Sequence, residues 1–173
     1  NAGFFGLHAN SLMGVIPSTP NAVTEVDVTT YSPMADLYLG STCGSGLCLT
    51  PGQVSSFASL AAEDLLFSFF QDLIVSSSVT LSSVKSVALF AGRDMILKGP
   101  LNVTATGTTV AGGDDEDIPP LLMFTRGKFT NDNASGGITV NSGSGKWILI
   151  APNAESVSLG SLTAPLTSQV SGA

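Results

Sequence analysis

Cys43 and Cys48 frame the segment Cys-Gly-Ser-Gly-Leu-Cys. Gly44, Ser45 and Gly46 let the chain turn tightly enough to bring the two sulfurs together, and a disulfide needs close Cα atoms. The spacing does not fit a Cys-x-x-Cys redox pair. A zinc site would need two further ligands, and the chain has one histidine, His8. A Cys43–Cys48 bridge is the expected chemistry, with free, half-buried thiols as the alternative.

Nucleophilic catalysis finds little support. A Ser-His-Asp triad would have to use His8, which lies in a Gly- and Pro-rich terminal segment with no nucleophile-elbow motif near it. Acid–base work on a polysaccharide would need paired carboxylates on one face, and no such pair with an Arg or Lys base recurs. The run Asp114, Asp115, Glu116 and Asp117 offers oxygens to calcium. Calcium loops interleave their acids with glycine at fixed positions, and this run does not, so it is a weak candidate. Its flanking Gly and Pro mark a solvated loop excursion near 112–120. No catalytic residue and no cofactor is expected.

Two further sets of residues have local chemistry. Asn102-Val-Thr104 and Asn133-Ala-Ser135 are glycosylation sequons. Asn102 falls in an expected strand and can carry a glycan only if it points outward. Asp72 and Asp94 each precede an apolar triplet. A carboxylate there can accept backbone N–H bonds at a corner, so both are expected to be structural.

The elements that must position these residues follow from an internal echo. Leu65–Leu81 and Val87–Val103 superpose at a spacing of ~22, apolar on apolar and Asp72 on Asp94. Leu65 meets Val87, Phe67 meets Leu89, and Leu73-Ile74-Val75 meets Met95-Ile96-Leu97. A period near 22 built of short β-type runs predicts an all-β fold, a β-solenoid, in which each coil buries its apolar face on the next. Seven or eight coils are expected, with Asp72 and Asp94 one strand spacing apart at the same corner. Thr50 as N-cap and Pro51 at the first position predict a short helix near 51–58. An extension to about Phe69 is the competing reading. Residues 1–22 read as a Gly/Pro-rich N-terminal segment, 23–162 as one solenoid domain, and 163–173 as a polar tail.

Composition narrows the function. Only 11% of the 173 residues are charged, while hydrophobics make up 43%. Disordered chains show the reverse balance. Net charge is −7 and the six basic residues are scattered, which excludes a phosphate-binding patch and so nucleic acid as a partner. No run of apolar residues is long enough for a membrane span. The chain starts without a basic signal-peptide region or an initiator Met, and reads as a processed or excised piece of a longer protein.

The stretch from Asp36 to Val103 resembles the repeat region of filamentous-haemagglutinin-type exoproteins, the adhesins of two-partner secretion. The likeness lies in Leu37-Tyr-Leu-Gly with the later Gly46-Leu-Cys-Leu-Thr-Pro, and in the apolar run ending Asp72-Leu-Ile-Val. Ser86-Val-Ala-Leu-Phe-Ala-Gly-Arg-Asp-Met-Ile-Leu97 and Gly145-Lys-Trp-Ile-Leu-Ile150 complete it. The resemblance implies a right-handed parallel β-helix, secretion, and adhesion or surface display. The family's Asn-Pro-Asn secretion motif is absent, so the piece would be shaft. The expected function is therefore a non-enzymatic extracellular or cell-surface structural β-solenoid. It would self-associate end to end as a unit of a fibre, with host or surface glycans as candidate partners. A carbohydrate-binding or polysaccharide-cleaving β-helix is the alternative. That alternative needs outward aromatics, yet the phenylalanines are expected on the apolar columns, leaving Tyr31, Tyr38 and Trp147 as candidates.

Overall fold

A computed structural model describes residues 4–8, 23–30, 35–105, 119–134, 137–141 and 147–162. The chain is all-β with parallel sheets and one α-helix among these residues. The first strands are β1 (Phe4–His8), β2 (Val23–Thr30), β3 (Leu37–Leu39) and β4 (Leu47–Leu49). Helix α1 spans Pro51–Leu60. After it come β5 (Ala61–Phe69), β6 (Leu73–Val75), β7 (Val79–Val84), β8 (Ser86–Ala91), β9 (Met95–Leu97) and β10 (Leu101–Ala105). The last are β11 (Leu121–Thr125), β12 (Phe129–Asn131), β13 (Ile138–Val140), β14 (Trp147–Ile150) and β15 (Val157–Ser158).

These strands form three sheets, none closed on itself. Sheet A runs β1-β2-β5-β8-β11-β14, sheet B runs β15-β12-β9-β6-β3-β4, and sheet C runs β13-β10-β7. From β5 onward the chain visits A, B and C in fixed rotation, so each rotation lays one tier on the last. The echo in the sequence is the pairing register: Leu65 on Val87, Leu73 on Met95, Val79 on Leu101. Period-two alternation sends one set of side chains inward. In sheet A the inward columns are Val26, Leu65, Val87, Leu121, Trp147 and Val28, Phe67, Leu89, Met123, Leu149, all at most 2% exposed. They pack with Leu73, Val75, Met95 and Leu97 of sheet B and with Leu81, Leu101 and Val103 of sheet C in one core.

Helix α1 forms where its cap was expected and ends at Leu60, two residues beyond the sequence reading. The Gln53 N–H donates to Thr50 Oγ1 at 3.3 Å, and the Thr50 N–H donates to Gln53 Oε1 at 2.9 Å. Val54, Phe57, Ala58 and Leu60 face the core. The helix stops because Leu65, Phe67 and Phe69 must alternate into that core, which helical spacing would forbid. Its exit is absorbed by a register shift: Val23 pairs with Ala61, but Glu25 pairs with Asp64. The helix packs chiefly on β7, and Ser55 Oγ donates to the Thr80 carbonyl at 3.5 Å. It thus lies along the free edge of sheet C.

Two expectations need correction. Among the described residues sheets A and B hold six strands each, against the seven or eight coils expected, and α1 and the extra sheet-B strand β4 consume length that a uniform period assigned to coils. Residues 4–8 form β1 within the segment read as irregular, and His8 ends that strand, in register with Thr29. The prolines that argued against structure, Pro17 and Pro20, follow this strand instead of interrupting it. The tail at 163–173 and most of the acidic excursion (112–118) lie outside the described residues.

The inward columns make a sharp prediction. Phe67→Ala is expected to cost about 3–5 kcal/mol in urea unfolding, while Leu66→Ala, one residue along on the outer face, costs under about 1 kcal/mol. Equal effects would contradict the inward–outward alternation.

Candidate functional site

Asp72 and Asp94 occupy the same corner of adjacent tiers. The Asp94 N–H donates to Asp72 Oδ1 at 3.1 Å, and the Leu73 N–H donates to the Asp94 carbonyl at 2.9 Å. The pattern extends in both directions. The Asp72 N–H donates to Asp36 Oδ1 at 3.4 Å, and the Lys128 N–H donates to Asp94 Oδ1 at 2.7 Å. Three carboxylates therefore form a ladder, each using Oδ1 to hold the corner N–H of the tier above. Other N–H groups of this corner reach a carbonyl of the neighbouring tier, as Gly92 does on Phe69 and Gly127 on Arg93, and the carboxylate supplies the acceptor for the one just before each sheet-B strand. Sequence reasoning missed Asp36. It lies 36 residues before Asp72, because β4 and α1 intervene, although Asp36-Leu-Tyr-Leu has the same pattern as Asp94-Met-Ile-Leu.

The ladder leaves the carboxylates committed. Arg93 clamps Asp72 from outside, with Nε 3.1 Å from Oδ1 and Nη2 3.2 Å from Oδ2, while Nη1 donates to Gln71 Oε1 at 3.0 Å. The Arg93 side chain is 59% exposed, so the pair adds little stability beyond orientation. Above it, the chain approaches Asp94 so closely at Gly127 that a Cβ there would collide with Asp94 Oδ1. Lys85 and Glu63 make a separate exposed pair at 3.5 Å. Among the described residues no three of His, Cys, Asp and Glu gather as metal ligands. Asp114, Asp115, Glu116 and Asp117 lie outside the described residues.

Cys43 and Cys48 are joined, with Cα atoms 5.7 Å apart. The bridge sits at an unusual place. Strands β3 and β4 are parallel neighbours, Leu37 on Leu47 and Leu39 on Leu49, yet few residues connect them. Parallel pairs ordinarily need a crossover of a dozen residues or more. Here the connection is pinned at three points. The Gly40 N–H donates to the Leu49 carbonyl at 2.9 Å, the Leu47 N–H donates to the Asp36 carbonyl at 2.8 Å, and the disulfide closes the middle. Gly40 has φ of 137°, a conformation that L side chains rarely adopt.

The sequons separate clearly. Asn102 is half-buried on the outer face of sheet C, between Thr80 and Thr139 in register. Asn133 is 7% exposed, and its N–H donates to Asn131 Oδ1 at 3.2 Å, so a glycan there would have to displace a packed loop. The aromatics also depart from expectation. Trp147 is 1% exposed and belongs to the core. Phe70 is 53% exposed, and Phe90 and Phe124 stand half-buried on the outer face of sheet A with ring centroids 5.7 Å apart. Strand parity decides this: Phe67 and Phe69 point inward, whereas position 90 pairs with the outward Ser68. Tyr38 is half-buried on sheet B, and Tyr31 lies outside the described residues. No family model, curated protein or solved structure matches the chain.

Two outcomes test this account. Asp72→Asn keeps an oxygen acceptor for the Asp94 N–H, whereas Asp72→Ala leaves that N–H unsatisfied. The alanine variant should therefore be less stable than the asparagine variant by about 1–2 kcal/mol in chemical denaturation. Cys48→Ser should lower stability by about 2 kcal/mol, the loop-entropy value for so short a loop. Wild-type protein in excess reductant should match it.

Proposed function

We propose that this chain is a structural unit of an extracellular or cell-surface assembly, built as a right-handed parallel β-helix whose tiers continue from one copy to the next. The observation that carries the reading is the fixed rotation of the chain through three parallel sheets. Parallel strands joined by crossovers are right-handed in nearly all known cases, which supports that hand here. A stack of parallel tiers ends in strand edges that template further pairing. Sheet A ends on β14 and sheet B on β15, which is two residues long.

The disulfide favours an oxidising compartment. The carboxylates of the corner are used in holding backbone, which favours a scaffold over a catalyst. The outer face of sheet C carries Thr80, Ser82, Asn102, Thr104 and Thr139, an uncharged polar surface suited to display in water and to contact with glycans. End-to-end joining runs through sheets A and B, because α1 occupies the place of the next strand below β7. The resemblance of residues 36–103 to filamentous-haemagglutinin-type repeats points the same way.

Negative-stain imaging combined with light scattering over a dilution series tests the reading. Rods whose lengths are multiples of a unit of roughly 30 Å, six strands at ~4.8 Å, are expected, and they should shorten on dilution. A strictly monomeric species at every concentration would sink the assembly reading.

A further inference from the structure

The three sheets present unlike outer faces. Sheet C is polar, as above. Sheet A carries an apolar strip two outward positions wide over four successive tiers, broken only by Ser68. At one outward position it carries Leu66, Ala88, Leu122 and Ile148, and at the next Ser68, Phe90, Phe124 and Ile150. Each of these side chains is half-buried and keeps part of its surface in solvent. The apolar run stops at β2, where Asp27 holds the first position. Parallel sheets are ordinarily covered on both faces, and contiguous apolar patches of a few hundred Å² mark contact surfaces.

We propose that this face docks against the same face of a second copy of the chain, turned over about an axis along the strands. The pattern is self-complementary in that arrangement. With β5 over β14 and β8 over β11, the small Ala88 meets Leu122 and the small Ser68 meets Ile150, so large side chains fall into the gaps left by small ones. Phe90 meets Phe124, and Leu66 meets Ile148. Asp27 falls one tier beyond the partner's β14, outside the apolar contact, and Asp64, one outward position before Leu66, sits at its rim, where the Ser86 hydroxyl donates to it.

Area sets the strength. Four strands at ~4.8 Å and five to seven residues at ~3.3 Å give about 300–450 Å² per copy. That is below the ~800 Å² per partner of a standard interface, so the pair is weak, with a dissociation constant on the order of 10–100 μM or above. The apolar positions carry no charge, Asp64 at the rim adds to the repulsion, and each copy carries a net charge of −7. Added salt therefore screens the repulsion and strengthens pairing, the opposite of what an ion-paired interface would show.

Sedimentation velocity on the oxidised chain, from about 10 μM to about 1 mM, tests this. A closed dimer that strengthens with salt is expected. Leu122→Asp should weaken it at least about tenfold. Thr139→Asp, on the outer face of sheet C, should leave it unchanged. Circular dichroism checks each fold; should Leu122→Asp fail to fold, the milder Phe124→Ser takes its place with the same expected direction. A wild-type chain that never pairs, or a dimer indifferent to folded Leu122→Asp or Phe124→Ser, overturns the proposal. Open-ended growth that survives these substitutions, with no closed dimer, also overturns it while leaving end-to-end joining intact. A closed dimer without longer species does the reverse.

Discussion

Everything in this structure depends on one spacing. Parallel strands repeat at about 4.8 Å, and each inward residue must find an apolar neighbour directly above and below it. Straight segments meet that demand through ordinary ladder bonds. Corners meet it only in part, because the backbone turns there and the N–H just before each sheet-B strand is held by a side chain instead of a carbonyl. Asp36, Asp72 and Asp94 solve the corner between sheets A and B by reaching up one tier each. At the top the role of the carboxylate ends: Lys128 occupies the next corner, and Thr125, at a different position in register with Ala91, ties its tier to the one below by donating its hydroxyl to the Arg93 carbonyl.

That rule explains which parts of the fold the sequence discloses. The register between the tiers of β5–β7 and β8–β10 is legible because equal lengths, apolar parity and a corner Asp all recur together. The capped helix is legible because Thr50, Pro51 and Gln53 state it locally. What escapes is anything that changes the length between recurrences. Asp36 belongs to the ladder, but the insertion of β4 and α1 hides it from a search at a period of 22. The strand Phe4–His8 escapes because composition over a 22-residue window masks a five-residue run. The disulfide partners can be read from two cysteines and the glycines between them. Its purpose cannot, since nothing in the sequence says that β3 and β4 are parallel and so need an unusually short link held in place.

Parity accounts for the aromatic error in the same terms. Counting phenylalanines as core residues assumes that apolar means inward. Half the positions of any strand face outward, and in sheet A those outward positions are apolar too. Trp147 shows the converse: an amphipathic ring that suits a binding surface is instead buried at the last inward position of its column.

The two ends of the stack are built differently, and the difference has a physical cause. Below β7 the edge of sheet C is covered by α1, whose Val54, Phe57, Ala58 and Leu60 continue the core one level down without offering a strand to pair. At the same end the edge of sheet B is β4, three residues long and tied to its loop by the disulfide. A helix can fill the volume of the next tier, but its backbone bonds are already made within itself. Sheet C therefore offers no strand edge at that end, where α1 still completes the core. The end-to-end assembly proposed above would have a defined direction, since the end that carries α1 cannot be exchanged for the end that carries β13 and β14.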